Sequence, residues 1–215
     1  IFGHRGLPRI YKENTFTGIN KAYEHCDFVE IDVRLTGDNQ LILHHDPNIG
    51  EDLIKNLSLS ELDILMKDGS IHDSILVSRD QIHGQVNFEI KTDTLDDSEV
   101  DILFQKMLSI FEPEDIVSSF NWKAIQSFKN LFNCNYGIIF DKEEDLFEAQ
   151  ALSNHDEELF FMTHFSLIDS RNFALPKNKT VLWTVNNEDD FQRYMDMEIY
   201  GIVTDIPDTM QLYRK

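Results

Sequence analysis

The chain has 215 residues, long enough for one domain with a full core and within the size range of a small barrel or doubly wound fold. Lys and Arg total 19 against 39 Asp and Glu, which gives a formal net charge of −20. Such a surface repels nucleic-acid backbones and anionic lipid headgroups and argues against both as partners, although local charge in a pocket can still hold a small anion.

Ile1-Phe2 is an apolar start broken by Gly3-His4-Arg5-Gly6, where glycines let the backbone come close to a ligand. Phe16 to His25 carries Phe16, Ile19, Ala22 and Tyr23 on one face and predicts a helix, with Asn14 or Thr15 as its N-cap. Phe28 to Val33 alternates apolar residues with carboxylates, the period of a strand, so Glu30 and Asp32 project from one face. Two neighbouring acids repel unless something positive lies between them, and a divalent cation is the usual answer. Thr36-Gly37-Asp38-Asn39 reads as a turn, followed by a strand, Leu41–Leu43, that ends in His44-His45-Asp46. A short helix from Leu57 to Met66 starts at Ser58 or Ser60 and turns Leu59, Leu62, Leu65 and Met66 inward. Residues 67–85 are polar, with turns at Gly69 and Gly84 and a short apolar piece at Ile75-Leu76-Val77.

Val86 to Lys91 repeats the carboxylate-bearing strand pattern, with Glu89 and Lys91 on one face. Helical spacing follows from Val100 to Phe111. Beyond it come a strand at Asp115–Phe120, a helix capped by Asn121 that reaches Phe132, and a strand at Tyr136–Phe140. A helix at Glu143–Leu152, a strand at Leu159–Met162 and a short helix at Leu167–Phe173 continue the alternation. Strand Thr180–Asn186, helix Glu188–Met195, strand Gly201–Thr204 and a terminal helix opened by Pro207 complete it.

Eight strand-then-helix units with short connections imply a parallel sheet. With no switch point, they favour a closed (β/α)₈ TIM barrel, a single domain over residues 1–215. The C-terminal strand ends of such a barrel gather around one mouth. His4 and Arg5, Glu30 and Asp32, Glu89 and Lys91, Ser119, and Trp183 and Asn186 all fall there, and His45 arrives on the excursion after the second strand. His25, His72, His83, His155 and His164 have no such company and read as surface or helix-end residues. Ser118-Ser119 lacks a Gly-x-Ser-x-Gly elbow, so Ser119 is at most a pocket-rim residue.

The motifs resemble one family. Gly3-His4-Arg5-Gly6, Glu13-Asn14-Thr15, Glu30-Ile31-Asp32-Val33, Thr36-Gly37-Asp38, His45-Asp46, Glu89-Ile90-Lys91, Trp183-Thr184-Val185-Asn186 and the Gly201–Pro207 run are similar, in this order, to those of glycerophosphodiester phosphodiesterases. The resemblance implies a metal-dependent TIM-barrel hydrolase that splits glycerophosphodiesters into glycerol 3-phosphate and an alcohol. It implies His4 and His45 as catalytic residues, and Glu30, Asp32 and Glu89 as ligands of one divalent cation, Mg²⁺ or Ca²⁺. Arg5 and Lys91 match phosphate contacts and Trp183 an aromatic at the substrate pocket. Two features depart from the pattern. The segment between Asp46 and Glu89 is a reduced insertion, and His44 stands where the family has a large apolar or small residue.

The rival classes are a lysophospholipase D or sphingomyelinase-D-like phosphodiesterase on the same barrel, and a catalytically dead relative that only binds. Intact HRG and ENT runs and the lack of an apolar lipid-docking loop favour a glycerophosphodiesterase over both. The expected partner is a small-molecule glycerophosphodiester, with no nucleic acid and no stable membrane anchor; the oligomeric state stays open. Cys26 and Cys134 read as free thiols, and no signal peptide is visible, which fits a cytoplasmic protein. The chain opens on Ile1 rather than Met, which leaves its natural start open.

Overall fold

The computed structural model describes residues 1–66 and 69–214. Lys67 and Asp68, which open the polar 67–85 stretch, and Lys215 lie outside the described residues. Eight parallel strands close a barrel: β1 (Phe2–His4), β2 (Phe28–Leu35), β6 (Gln85–Ile90), β7 (Ile116–Ser119), β8 (Asn135–Phe140), β9 (Phe160–His164), β10 (Thr180–Trp183) and β11 (Gly201–Thr204). Closure is made by β1, which pairs with β2 on one side and with β11 on the other. The outer helices are α1 (Phe16–Ala22), α3 (Asp97–Met107), α4 (Trp122–Phe128), α5 (Leu146–Ser153), α6 (Glu188–Met195) and α7 (Pro207–Met210). Thr15 caps α1, accepting from the Gly18 N–H at 3.2 Å, and Asn121 caps α4 as its spacing predicts.

Alternation along the strands sorts side chains into two cores. Val29, Ile31, Phe88, Val117, Ile138 and Phe161 point outward against the helices in one buried cluster. Phe2, Phe28, Ile116, Ile139, Phe160, Met162, Val181 and Val203 fill the barrel interior, with Trp183 packed on top. Phe2 and Phe28 stack with ring centroids 4.6 Å apart and plug the floor. Gly201 makes room for this plug: a Cβ there would lie 2.3 Å from the Phe2 ring. Two residues above the plug the inward positions are His4 and Glu30, and four above it Asp32, with Asn87 and Glu89 beside them in register on β6. The interior therefore runs from apolar at one end to charged at the other.

The excursion after β2 is more elaborate than one strand. β3 (Leu41–Leu43) pairs antiparallel with β2, and β4 (Asn48–Ile49) with β5 (Asp52–Leu53) makes a small hairpin. α2 (Leu59–Leu65) starts at Ser58, whose capping box with Glu61 is complete. It is shorter than the apolar spacing suggests: Leu62 is fully buried with Ile54 and Ile71 against Ile42 of β3, Leu59 and Met66 pack at the edge of that cluster, and Leu65 is 39% exposed. The Ile75–Val77 piece bridges to Ile42 and buries Leu76 while leaving Val77 outside. Between β9 and β10 the predicted helix is replaced by a 3-10 turn, Phe165–Asp169. Its adjacent Leu167 and Ile168 are both buried, a corner rather than a one-in-four stripe. β10 ends at Trp183, and beyond it the Val185 N–H still bonds to β11, at Val203 O.

Candidate active site

Glu30, Asp32 and Glu89 each offer one carboxylate oxygen, and these oxygens lie within 4.8 Å of one another. β2 and β6 set this up by register, since Asp32 and Glu89 are direct neighbours across the pair. Lys91 lies across the cluster, its Nζ 2.9 Å from Asp32 Oδ1 and hydrogen-bonded to Glu89. Asn14, in the loop after β1, holds Asp32: its Nδ2 donates to Asp32 Oδ2 at 2.8 Å, and its Oδ1 accepts the Asp32 N–H at 3.1 Å. Glu30 Oε1 is buried and has no hydrogen-bond partner among the described residues. A buried carboxylate oxygen left unsatisfied is costly, and an all-oxygen donor set beside it fits a hard divalent cation.

The loop after β1 delivers the basic groups. Arg5 and Asn14 both take left-handed backbone (φ 54° and 55°), linked by the Asn14 N–H bond to Arg5 O. Gly6 follows at φ 97°, and a Cβ there would come within 2.9 Å of the Gly18 backbone. This turn aims the Arg5 N–H at Glu30 Oε2 (3.1 Å) and its guanidinium at Glu13 (3.1 Å) and Asp32 (3.3 Å). His4 ends β1 with Nδ1 2.6 Å from Asp205 Oδ1 and Nε2 3.8 Å from Glu30 Oε2. Asp205 follows β11 and is gripped by Asn186, whose Nδ2 donates to Asp205 Oδ2 at 2.5 Å.

His45 faces the same space from the excursion. Its Nδ1 is 2.7 Å from Asp46 Oδ1, and its carbonyl accepts from Arg34 Nε and Nη2 at 2.9 and 2.5 Å. Arg34 is itself buried on β2 and paired with Asp93 at 2.7 Å. The cavity among these groups has about 160 Å³ and is lined by His4, Arg5, Glu30, His45, Glu89 and Lys91 at its polar side. Phe120, Ile139, Met162 and Trp183 form its apolar wall. That is below the ~300–1,000 Å³ of sites enclosing drug-sized ligands, so it suits a small polar head.

Electrostatics divides the acids. Burial, reinforced by the Asp32 charge, pushes the Glu30 carboxyl up to about 8, and burial also raises Glu89. Burial alone would raise Asp32 too, but Lys91, Arg5 and the Asn14 hydrogen bond hold it below the usual carboxylate range. Burial opposes the His4 cation, yet the Asp205 hydrogen bond and the Glu30 charge raise its pKa overall. Burial thus opposes the charge on Glu30 and Glu89, whereas the cations beside Asp32 favour its ionised form.

The eight residues to which the family resemblance gives a role, His4, Arg5, Glu30, Asp32, His45, Glu89, Lys91 and Trp183, line or adjoin this one mouth. Ser119 is buried and bonded to Ile90 O, on the rim side shared with Phe120. His44 turns away, its Nδ1 3.0 Å from Asp46 O. His164 is less isolated than its sequence context suggests: it ends β9 and packs edge-on to Trp183 at 5.5 Å. Asn14, Arg34 and Asp205 support the site and were not singled out for that. Only Asp205 carried a signal, as an acid directly after a strand end.

A family model described as the glycerophosphoryl diester phosphodiesterase family matches residues 4–209. A glycerophosphodiester phosphodiesterase of Caldanaerobacter subterraneus is 27% identical, the match covering 100% of this chain and 98% of that one. One from Bacillus altitudinis is 24% identical over 97% of this chain and 95% of its own. The crystal structure of a Thermotoga maritima glycerophosphodiester phosphodiesterase superposes with a TM-score of 0.75 at 24% identity, covering 99% of this chain and 97% of that one. An Oleispira antarctica phosphodiesterase, solved in complex with the product sn-glycerol-3-phosphate, superposes with a TM-score of 0.76 at 20% identity, covering 99% and 95%.

Proposed function

The chain belongs to the glycerophosphoryl diester phosphodiesterase family, and from that premise we propose that its barrel mouth hydrolyses glycerophosphodiesters to glycerol 3-phosphate and an alcohol, using one divalent cation. The observation that carries this reading is the convergence of three buried carboxylates, two histidines, Arg5 and Lys91 on one small cavity. Glu30, Asp32 and Glu89 would hold the cation, and Mg²⁺ or Ca²⁺ suits their all-oxygen set better than Zn²⁺. When bound, it supplies Lewis-acid polarisation of a phosphoryl oxygen.

The protein's own groups account for the rest. Arg5 presents a planar fork and Lys91 a point charge to the phosphate oxygens, so charge that grows during reaction is met by fixed positive groups. His4 and His45 divide the proton transfers, one taking a proton from the nucleophile and the other giving one to the departing alkoxide. In both rings Nδ1 is tied to an acid and Nε2 has no hydrogen bond among the described residues. That leaves one nitrogen on each side of the cavity for a reacting oxygen. Trp183 and Phe120, edge to face at 5.9 Å, wall off the apolar side.

The test is glycerophosphocholine with Mg²⁺ or Ca²⁺, read as glycerol 3-phosphate by a coupled assay. Release of glycerol 3-phosphate that stops after EDTA and returns with metal is expected. Full activity after exhaustive chelation rules out the metal. Turnover of lysophosphatidylcholine but not glycerophosphocholine moves the assignment to the lysophospholipase D class.

A further inference from the structure

We propose that Asp205, locked in place by Asn186, is a positioning residue that fixes His4 as the tautomer with its proton on Nδ1 and its lone pair on Nε2. The proposal rests on the reading that His4 moves a proton, and it adds a residue pair that acts only through that ring.

The hydrogen-bond directions follow from the chain of partners. The backbone N–H of Asp205 can only donate, and it lies 2.9 Å from Asn186 Oδ1. The Thr204 hydroxyl lies 3.1 Å from the same oxygen. These contacts fix Asn186 with its oxygen toward Thr204 and Asp205 N, so its Nδ2 must face Asp205 Oδ2, at 2.5 Å. Asp205 Oδ1 is then left for His4 Nδ1, at 2.6 Å. An ionised carboxylate only accepts, so Nδ1 is the donor and the neutral ring carries its lone pair on Nε2. Nε2 points into the cavity, 3.8 Å from Glu30 Oε2. Thr204 is wholly buried at the end of β11, and β11 pairs in register with β1 at Gly3, so the frame holding Asp205 is the barrel wall itself.

The same geometry makes a sharp statement about Asp205→Asn. Asn186 Nδ2 still needs an acceptor, so the new amide must turn its oxygen to Asn186 and its NH₂ to His4. An NH₂ facing Nδ1 makes that nitrogen the acceptor and moves the ring proton to Nε2. The cavity then meets an N–H where it had a lone pair. Adding Asn186→Ala removes the constraint, lets the residue-205 amide rotate, and returns an oxygen to His4. A merely structural role for the pair predicts the opposite, since the double variant loses more contacts than the single one.

The experiment is nitrogen NMR on ¹⁵N-histidine-labelled, metal-loaded enzyme at a pH where the His4 ring is neutral, together with steady-state kinetics on glycerophosphocholine. Wild type should show a protonated Nδ1. Asp205→Asn should show a protonated Nε2, with kcat lower by about 10²–10⁴-fold, the worth of a positioned acid or base, and KM within about threefold. Asn186→Ala added to Asp205→Asn should bring back the Nδ1 proton and raise kcat about tenfold or more over the single variant. Asp205→Ala, should the amide variant not fold, should populate both tautomers. A protonated Nε2 in the wild type, or Asp205→Asn with an unchanged tautomer and kcat, overturns the proposal. Wild type that cleaves no glycerophosphodiester removes the hydrolytic reading instead, while the tautomer measurement still decides the role of Asp205.

Discussion

Arg34→Met tests how His45 is held. The guanidinium is buried on β2 and puts two N–H groups on one carbonyl, that of His45, at 2.9 and 2.5 Å. Its third contact, Asp93, is half exposed and contributes little by itself. Hydrogen bonds from a charged donor are worth about 1.5–3 kcal/mol net, and Met fills much of the same volume without any donor. If that energy holds His45 over the cavity, its loss lowers the competent fraction, and kcat, by about 10- to 150-fold. Metal affinity should not weaken, because Arg34 is not among the carboxylate oxygens and the substitution removes a cation. Steady-state kcat on glycerophosphocholine and a calorimetric metal titration read the two effects separately. A kcat within about threefold of wild type refutes the reasoning and means that His45 is placed by the β3 strand alone.

Replacing His45 with Ala should cut kcat by about 10²–10⁴-fold and leave metal binding intact, whereas Glu89→Gln should weaken metal affinity; calorimetry on both variants checks the division. Asn14→Leu leaves the Asp32 carboxylate and N–H short of a buried partner, so urea midpoints should fall by an equivalent of about 1–3 kcal/mol and metal binding should loosen. The metal-free protein should lose stability as pH rises. Glu30 has a folded pKa of about 8, above its ordinary value, so between the two values the native state binds more protons than the unfolded one and stability falls toward pH 8. Thermal melts from pH 5 to pH 8 should show that decline, Glu30→Gln should flatten it, and saturating Mg²⁺ should reverse it.

Much of the barrel was legible because interior and exterior alternate along each strand. Carboxylates at Glu30, Asp32 and Glu89 interrupt apolar runs with the strand period, and such interruptions stand out where Val, Ile and Phe otherwise fill the core. The same alternation puts Glu30 and Asp32 on one strand face and Glu89 on one face with Lys91, and the barrel's strand ends then bring the three together. The supporting residues were hidden for the opposite reason. Asp205 meets His4 across 201 positions, and Asn14 meets Asp32 across 18, so neither hydrogen bond leaves a local pattern. Asn14 moreover resembled a helix cap, a role that belongs to Thr15. Arg34 meets the His45 carbonyl across 11 positions, only once the excursion folds back over β2, so its role too leaves no local pattern. The segment between β9 and β10 misled because Leu167 and Ile168 are apolar and close together, which a helix and a packed 3-10 corner share over so few residues.

The most direct measurement is a phosphorus NMR spectrum of glycerophosphocholine incubated with the Mg²⁺-loaded protein. The proposed chemistry predicts growth of the glycerol 3-phosphate resonance in step with choline release, and its disappearance in Glu89→Gln at limiting metal. A spectrum that stays at substrate, or one in which phosphocholine appears instead, contradicts it.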